Sequence, residues 1–289
     1  MAGTDALVVR DLGPDDLAQA VTLSASVGWN QVEADWRLFL DLGHGMGMDD
    51  GEGRLAATAA TLPSGPDLAW ISMVIVRDDH RRRGIATALL ERCADEISAS
   101  GRVPGLDATP AGREVYLGLG FQDSWDLARW RRTQAGPIAP FEPPPGLRVR
   151  PIESGDVAVV QRLDAPAFGA DRGPLLTRLL ERSSAFAAVA EGESGPCGFV
   201  LGRDGRTATH LGPLVAESED VARALARHAL ERIASGVTLD AADAAAGFAG
   251  WLAASGFARE RPFTRMYRGR SEPFGDPGLT VAIAGPELG

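Results

Sequence analysis

The sequence predicts an α/β protein of the α+β type in two tandem domains. Three observations predict it: 289 residues is the length of two ordinary domains, strand-like and helix-like apolar patterns succeed one another, and the second half repeats the order of the first. In the first half, residues 6–11 read as a strand and a helix starts after Pro14. A second helix spans 32–42, and strands follow at 54–62 and 69–76. Ile85, Leu89, Cys93 and Ile97 lie on one stripe of a helix that runs to residue 98. Residues 103–108 read as a strand. Residues 110–119 read as a helix with Pro110 in its first turn, where a missing N–H is harmless, and 122–132 as a last strand.

Residues 135–146 then carry Pro137, Pro140 and the run Pro143-Pro144-Pro145, which cannot join a sheet and prefers stiff polyproline geometry. This stretch separates a domain at 1–134 from one at 147–270. In the second, 147–150 reads as a strand, 157–163 and 175–182 as helices, and 185–191, 198–203 and 207–215 as strands. A helix at 220–235, a strand at 237–240, a helix at 244–254 and a strand at 258–267 complete the repeat. Local echoes support duplication: Leu106-Asp107-Ala108 answers Leu239-Asp240-Ala241, Gly120-Phe121 answers Gly256-Phe257, and Arg129-Trp130 answers Arg265-Met266. The tail, 271–289, is rich in Gly and Pro; its short apolar run at 279–284 has the composition of an edge strand.

Composition narrows the function. The 45% hydrophobic and 24% charged content is that of a soluble globular protein. No apolar run reaches the roughly 18 residues of a membrane span, and the N-terminus lacks the order of a signal peptide, so a cytoplasmic location is expected. Cys93 and Cys197 stand far apart and read as buried small residues; the four histidines show no ligand spacing, so no metal is expected. A formal charge of −10 argues against nucleic acid or an anionic membrane as partner. All 29 basic residues are arginine, which excludes a Walker-type phosphate loop and a lysine Schiff base.

The most informative stretch is Arg81-Arg82-Arg83-Gly84-Ile85-Ala86, lying between the apolar run ending Val74-Ile75-Val76 and the Ile85 helix. Alone, it would be a solvated charge run with an ordinary turn glycine. Set between strand and helix it is an anion cradle: the glycine lets the backbone approach a ligand, and first-turn N–H groups have no intrahelical partners.

These residues resemble the GNAT (Gcn5-related N-acetyltransferase) superfamily, whose acyl-CoA signature is Arg or Gln, two residues, Gly, one residue, then Gly or Ala. Arg81 through Ala86 matches every fixed position, and Tyr116-Leu117-Gly118-Leu119-Gly120-Phe121 looks like the family's tyrosine-bearing helix before its Gly-Phe strand entry. The resemblance implies tandem GNAT-like domains in a bacterial protein, each a mixed, mostly antiparallel twisted sheet flanked by helices. It implies acetyl-CoA or another acyl-CoA as co-substrate. Val74, Ile75 and Val76 would bind the pantetheine arm, while Arg81, Arg82, Arg83, Gly84, Ile85, Ala86 and Thr87 would hold the pyrophosphate. A helix N-terminus beside arginines suits the phosphates, and an open strand edge suits the arm's amides.

In that family role Tyr116 protonates the leaving thiolate, which a phenol of ordinary pKa, about 10, can do; the other reading is a helix tyrosine packed on the sheet. Asp107 reads either as the base that accepts the amine's proton or as the cap of the following helix. Glu33 and Asp35 are further carboxylates, equally readable as helix-surface charge. Trp29, Asn30, Glu33 and Trp36 mark the segment that borders the acceptor in such proteins, although tryptophans at helical spacing also form cores. The second half departs from the signature. Its turn, Ala216-Glu217-Ser218-Glu219-Asp220, has neither glycine nor arginine, and Leu252 stands where Tyr116 would. It resembles the degenerate C-terminal halves of bacterial tandem-GNAT proteins, which implies a domain closing over the acceptor side, with Asp171, Arg172 and Arg265 as candidate lining residues, equally readable as surface salt bridges.

The leading expectation is acetyl transfer to a primary amine of a small molecule or peptide, by a monomer or homodimer. A malonyl-thioester decarboxylase, an acyl-CoA sensor without turnover, and a transferase of the kind used in mycothiol synthesis are the alternatives.

Overall fold

A computed structural model of the chain describes residues 8–289, so the first two positions of the strand expected at 6–11 lie outside the described residues. The chain forms two compact units, divided between Pro104 and Gly105.

The first unit contains β1 (Val9–Asp11), α1 (Leu17–Ser26), α2 (Glu33–Leu42), β2 (His44–Asp49), β3 (Leu55–Ser64), β4 (Leu68–Val76) and α3 (Ile85–Ala99). Its strands pair in order β1-β2-β3-β4, all antiparallel. Strand β2 was not among the expected elements, because His44-Gly45-Met46-Gly47-Met48 lacks the β-branched residues that mark strands. The structure explains the glycines: a Cβ at Gly47 would lie 2.5 Å from the Leu12 side chain, and one at Gly45 would lie 3.0 Å from that of Leu40. The strand gives up side chains so that neighbouring leucines can close on it. Beneath lie the fully buried Trp36, Phe39, Met46, Trp70, Leu89 and Leu90. Cys93 joins this core, and burial pushes its thiol up to about 12, as expected of a packing residue rather than a reactive one.

The second unit takes β5 (Val103–Ala108) from Gly105 onward, α4 (Pro110–Gly118), β6 (Phe121–Arg132), β7 (Arg148–Pro151), α5 (Val157–Phe168), α6 (Gly173–Ser183), β8 (Ala188–Gly192) and β9 (Gly195–Arg203). It continues through β10 (Thr209–Ala216), α7 (Glu219–Leu230), β11 (Val237–Ala242), α8 (Ala246–Ala254), β12 (Ala258–Arg268) and β13 (Thr280–Ala282). Its strands run β5-β12-β6-β11-β13-β10-β9-β8-β7. All neighbours are antiparallel, while β10 and β11 touch directly, in parallel, only at Thr209 with Val237 and His210 with Thr238.

Two features bear on function. First, the strands of the two sequence halves interleave: β12 pairs with β5 and β6, and β6 also pairs with β11. Second, the 279–284 run is not at an edge. Strand β13 lies inside the sheet, between β10 and β11, because these strands diverge and leave backbone donors and acceptors that need partners.

Duplication is visible in side chains as well as in element order. Arg10 pairs with Asp16 and Asp49, and Arg150 pairs with Asp156 and Glu191. Asp16 and Asp156 each also accept from the backbone N–H three residues earlier, at 2.9 Å, closing the same turn in both halves.

Candidate functional site

Strand β4 carries a bulge. Thr58 faces Ile75 while Ala60 faces Ser72, so β4 has one residue more than β3 across this stretch. Met73 takes a left-handed conformation there (φ 53°), and the Thr58 hydroxyl donates to its carbonyl at 2.9 Å. The extra residue breaks the regular alternation next to Val74, which is half-buried between buried neighbours. Nothing in the apolar run Met73-Val74-Ile75-Val76 signals this kink, because a bulge depends on the facing strand.

Beyond Val76 the chain makes a short 3₁₀ turn, Asp78–His80, and then the loop that opens α3. Arg82 (φ 61°) and Gly84 (φ 76°) are both left-handed. Glycine pays nothing for this conformation, whereas a side chain at Gly84 would be strained although open space surrounds it. Gly84 is also the N-cap of α3 and supplies no side-chain cap. The first-turn N–H groups of Ile85, Ala86 and Thr87 therefore keep their donor capacity.

The arginines stand around that opening. Arg81, Arg82, Arg83 and Gly84 are all exposed. Arg81 is anchored by the Val76 carbonyl at 3.1 Å and Asp78 at 2.7 Å, and Arg83 by the Asp79 carbonyl at 3.1 Å. Arg82 enters no ion pair among the described residues. Behind the loop, Arg77 bridges Asp79 and Asp50, each at 2.8 Å, and holds both carboxyls well below the usual carboxylate range. The loop is thus braced from behind while its guanidinium and N–H donors face solvent, a donor set that fits a diphosphate.

The expected acceptor residues separate. Trp29 and Asn30 lie half-buried in the turn between α1 and α2. Glu33 is exposed and paired with Arg37 one helical turn on, which is helix-surface charge. Asp35 caps its own helix by accepting from the Val32 N–H at 2.8 Å. Trp36 corrects the expectation: it is fully buried, with its indole N–H donating to the Ser24 hydroxyl at 3.2 Å, so it is core and not an acceptor wall.

In the second unit, Thr109 rather than Asp107 caps α4, accepting from the Gly112 N–H at 3.2 Å. The Asp107 side chain is completely buried, and its two oxygens accept from Arg265 at 2.9 Å each. Burial works against the charge on Arg265, but Asp107 outweighs it and keeps the guanidinium protonated. Burial raises the Asp107 pKa against the opposing pull of Arg265, yet protonating the carboxyl would break this buried ion pair, which ties β5 to β12. Arg265 is correspondingly no surface lining residue, and Arg172 likewise lies buried against Asp164 at 2.8 and 2.9 Å.

Tyr116 lies on α4 with its ring over Gly112, whose Cβ, if present, would approach the phenol oxygen to 3.1 Å. The ring tilts against Phe121 at 6.1 Å, and burial raises the phenol's pKa, so it carries its proton at neutral pH. Its counterpart Leu252 is fully buried. At the second half's turn, Ser218 caps α7 by accepting from the Val221 N–H at 3.3 Å, and Arg223 pairs with Glu219 and Asp220. These donors are used internally, with two acidic groups where an anion would sit.

Two stretches, residues 45–123 and residues 160–278, each match the profile of the acetyltransferase (GNAT) domain. YitH of Bacillus subtilis (strain 168), named an uncharacterized N-acetyltransferase, is 23% identical over 227 residues, 78% of this chain and 77% of that protein. Among solved structures, a candidate acetyltransferase of Pyrococcus horikoshii matches with a TM-score of 0.80 at 19% identity, over 100% of this chain and 98% of the other. A GCN5-related N-acetyltransferase of Sphaerobacter thermophilus gives 0.67 at 16% identity (94% and 99%). A tandem GNAT protein from the clavulanic acid biosynthesis pathway gives 0.63 at 16% identity (93% and 99%). These structural likenesses establish the fold.

Proposed function

Because this chain belongs to the GNAT acetyltransferase family and carries two of its domains in tandem, we propose that its first half transfers an acetyl group from acetyl-CoA to a primary amine of a small molecule or peptide. The observation that carries the proposal is the loop Arg81-Arg82-Arg83-Gly84: left-handed twice, uncapped, and ringed with exposed guanidinium groups. Acetyl-CoA brings the activated thioester carbonyl. The N–H groups of Ile85, Ala86 and Thr87 and the loop arginines bind its diphosphate, and the end of β4, at Val74, Ile75 and Val76, bonds the amides of its arm.

The amine nitrogen forms a bond to the thioester carbon and the C–S bond breaks. Tyr116, kept protonated by burial, gives its proton to the departing thiolate. The nitrogen's proton passes to solvent water, since Asp107 is committed to Arg265. Trp29 and Asn30 are the residues retained for the acceptor side, and the second half, with its acidic turn, binds no CoA. The domain limits 1–134 and 147–270 joined by the proline-rich 135–146 stretch remain part of this reading.

The experiment is calorimetric titration with acetyl-CoA followed by a thiol-release screen over an amine library. Binding at one site per chain, abolished in Gly84→Asp, together with thiol release that requires an amine, supports the reading. Absence of acetyl-CoA binding would end it. Carbon dioxide release from malonyl-CoA without an amine would replace it with a decarboxylase, and binding without thiol release would replace it with a sensor.

A further inference from the structure

Strand β10 feeds the second half's turn as β4 feeds the first. Its last three residues, Leu214, Val215 and Ala216, hold the place that Val74, Ile75 and Val76 hold in β4. That stretch of β10 is already bonded to this chain. Leu214 pairs with Ala282, Val215 pairs with Thr280, and the Ala216 N–H donates to the Leu279 carbonyl at 3.0 Å. On its other side the segment pairs Ala282 with Ala241 of β11, and the Ile283 N–H donates to the Asp240 carbonyl at 3.0 Å.

The segment is seated by side chains as well as by backbone. Val281, Ala282, Ile283, Ala284, Glu287 and Leu288 are all buried. Arg203, itself buried, donates to the Ala284 carbonyl and forms an ion pair with Glu287. Arg172 donates to the main-chain oxygen of Gly289 at 2.5 Å. Gly212 has no side chain, and its Cβ would lie 2.0 Å from the Ile283 carbonyl oxygen, so the glycine is required for the segment to approach. A slot between two diverging strands, ending at buried arginines, is built for a short strand of amide-bearing chain followed by a turn with an acidic group.

We propose that residues 279–289 are the second half's tethered ligand: an acidic peptide whose short strand, Thr280–Ala282, occupies a slot that has the position of the first half's thioester-arm edge, and whose closing turn at Gly285–Leu288 presents Glu287 to Arg203. The second half is closed by occupancy as well as by its acidic turn, and the slot recognises this peptide even when the covalent connection is cut. The correspondence with β4 rests on the acyl-CoA reading of the first half, whereas the peptide recognition does not.

The test uses the full chain with a protease recognition sequence inserted between Ser271 and Glu272, both exposed, folded first and cut afterwards. The fragment beginning at Glu272 is expected to stay bound through gel filtration and native mass spectrometry. In the cut chain, Arg203→Met removes the buried ion pair to Glu287 and is expected to speed fragment release about 100-fold. Gly212→Ala, which crowds Ile283 without altering charge, is expected to act in the same direction. A synthetic 279–289 peptide should displace the fragment from the cut chain, and a peptide with Glu287→Gln should do so at least about 10-fold less well. Immediate loss of the fragment on cutting, or equal competition by the two peptides, overturns the proposal. Acetyl-CoA titration of the same cut chain separates the two readings: loss of the fragment with acetyl-CoA binding intact is a failure of the tethered-ligand inference alone, and absence of acetyl-CoA binding with the fragment retained is a failure of the transferase reading alone.

Discussion

Two strand–turn–helix units of the same ancestry differ in how they use their donors. At the first turn, α3 begins on Gly84 with no side-chain cap and three exposed arginines close by. At the second, α7 begins on Ser218, whose hydroxyl satisfies the Val221 N–H, and Arg223 is tied to Glu219 and Asp220. A helix N-terminus always has surplus N–H groups. Whether it binds an anion is decided by whether neighbouring side chains have already answered them. The comparison extends to the strands leading in, since the end of β10 is bonded to β13, the chain's own segment.

The largest effect should come from the paired carboxylates the two halves share. Asp107→Asn leaves Arg265 buried without a counter-charge and is expected to cost about 3–5 kcal/mol in denaturant unfolding. Asp240→Asn should cost less, because its partner Arg129 keeps 18% side-chain exposure against 3% for Arg265. Equal costs would show that solvent reach to the arginine does not matter.

Next is the turn itself. Gly84→Asp adds backbone strain and a negative charge at the anion site and should weaken acetyl-CoA binding by about 100-fold or more, roughly 2.7 kcal/mol. Ser218→Ala, at the other turn, should lower stability by about 1 kcal/mol and leave the acetyl-CoA Kd unchanged. A change in that Kd would mean the second turn participates after all.

Tyr116→Phe keeps the ring against Phe121 and removes the proton. It should lower kcat about 100-fold with KM for acetyl-CoA unaltered, read by steady-state thiol release; an unchanged kcat would return Tyr116 to a packing role.

The smallest expected effect is on pH dependence. His210 is completely buried beside Arg203, Glu287, Arg129 and Asp240, and burial first, then Arg203, drives its pKa well below 6.5. The folded chain keeps this ring neutral while the unfolded chain protonates it below about 6.5, so the unfolded state gains protons and stability falls with falling pH. Asp16 and Asp156, held low by Arg10 and Arg150, act in the same direction but nearer their ordinary value of 3.8. Melting temperature should therefore decline from pH 7 to pH 5, and His210→Gln should flatten that decline while leaving the drop near pH 4.

Much of this was legible in the sequence. The Ile85, Leu89, Cys93, Ile97 stripe is the buried face of α3, and the Arg81-Arg82-Arg83-Gly84 loop stands where the pattern put it, because both are local properties of the chain. The non-local features were not legible. Trp36 reads the same on a core face or a binding face. The bulge at Met73 is set by Thr58 across the sheet. Asp107 sits three residues before the first residue of α4 and looks like a cap, while its partner lies in another strand altogether. The 279–284 run was visible only as an apolar stretch with the composition of an edge strand, and its interior position depends on β10 and β11 diverging.

The echoes Asp107 with Asp240 and Arg129 with Arg265 acquire a meaning from the interleaved strands. Each half's aspartate binds the other half's arginine: Asp107 takes Arg265, and Asp240 takes Arg129. During synthesis, Asp107 therefore waits 158 residues for its counter-charge, and Arg129 waits 111. The duplicated halves, once joined in this manner, hold buried charges that stay unpaired until β11 and β12 have been made.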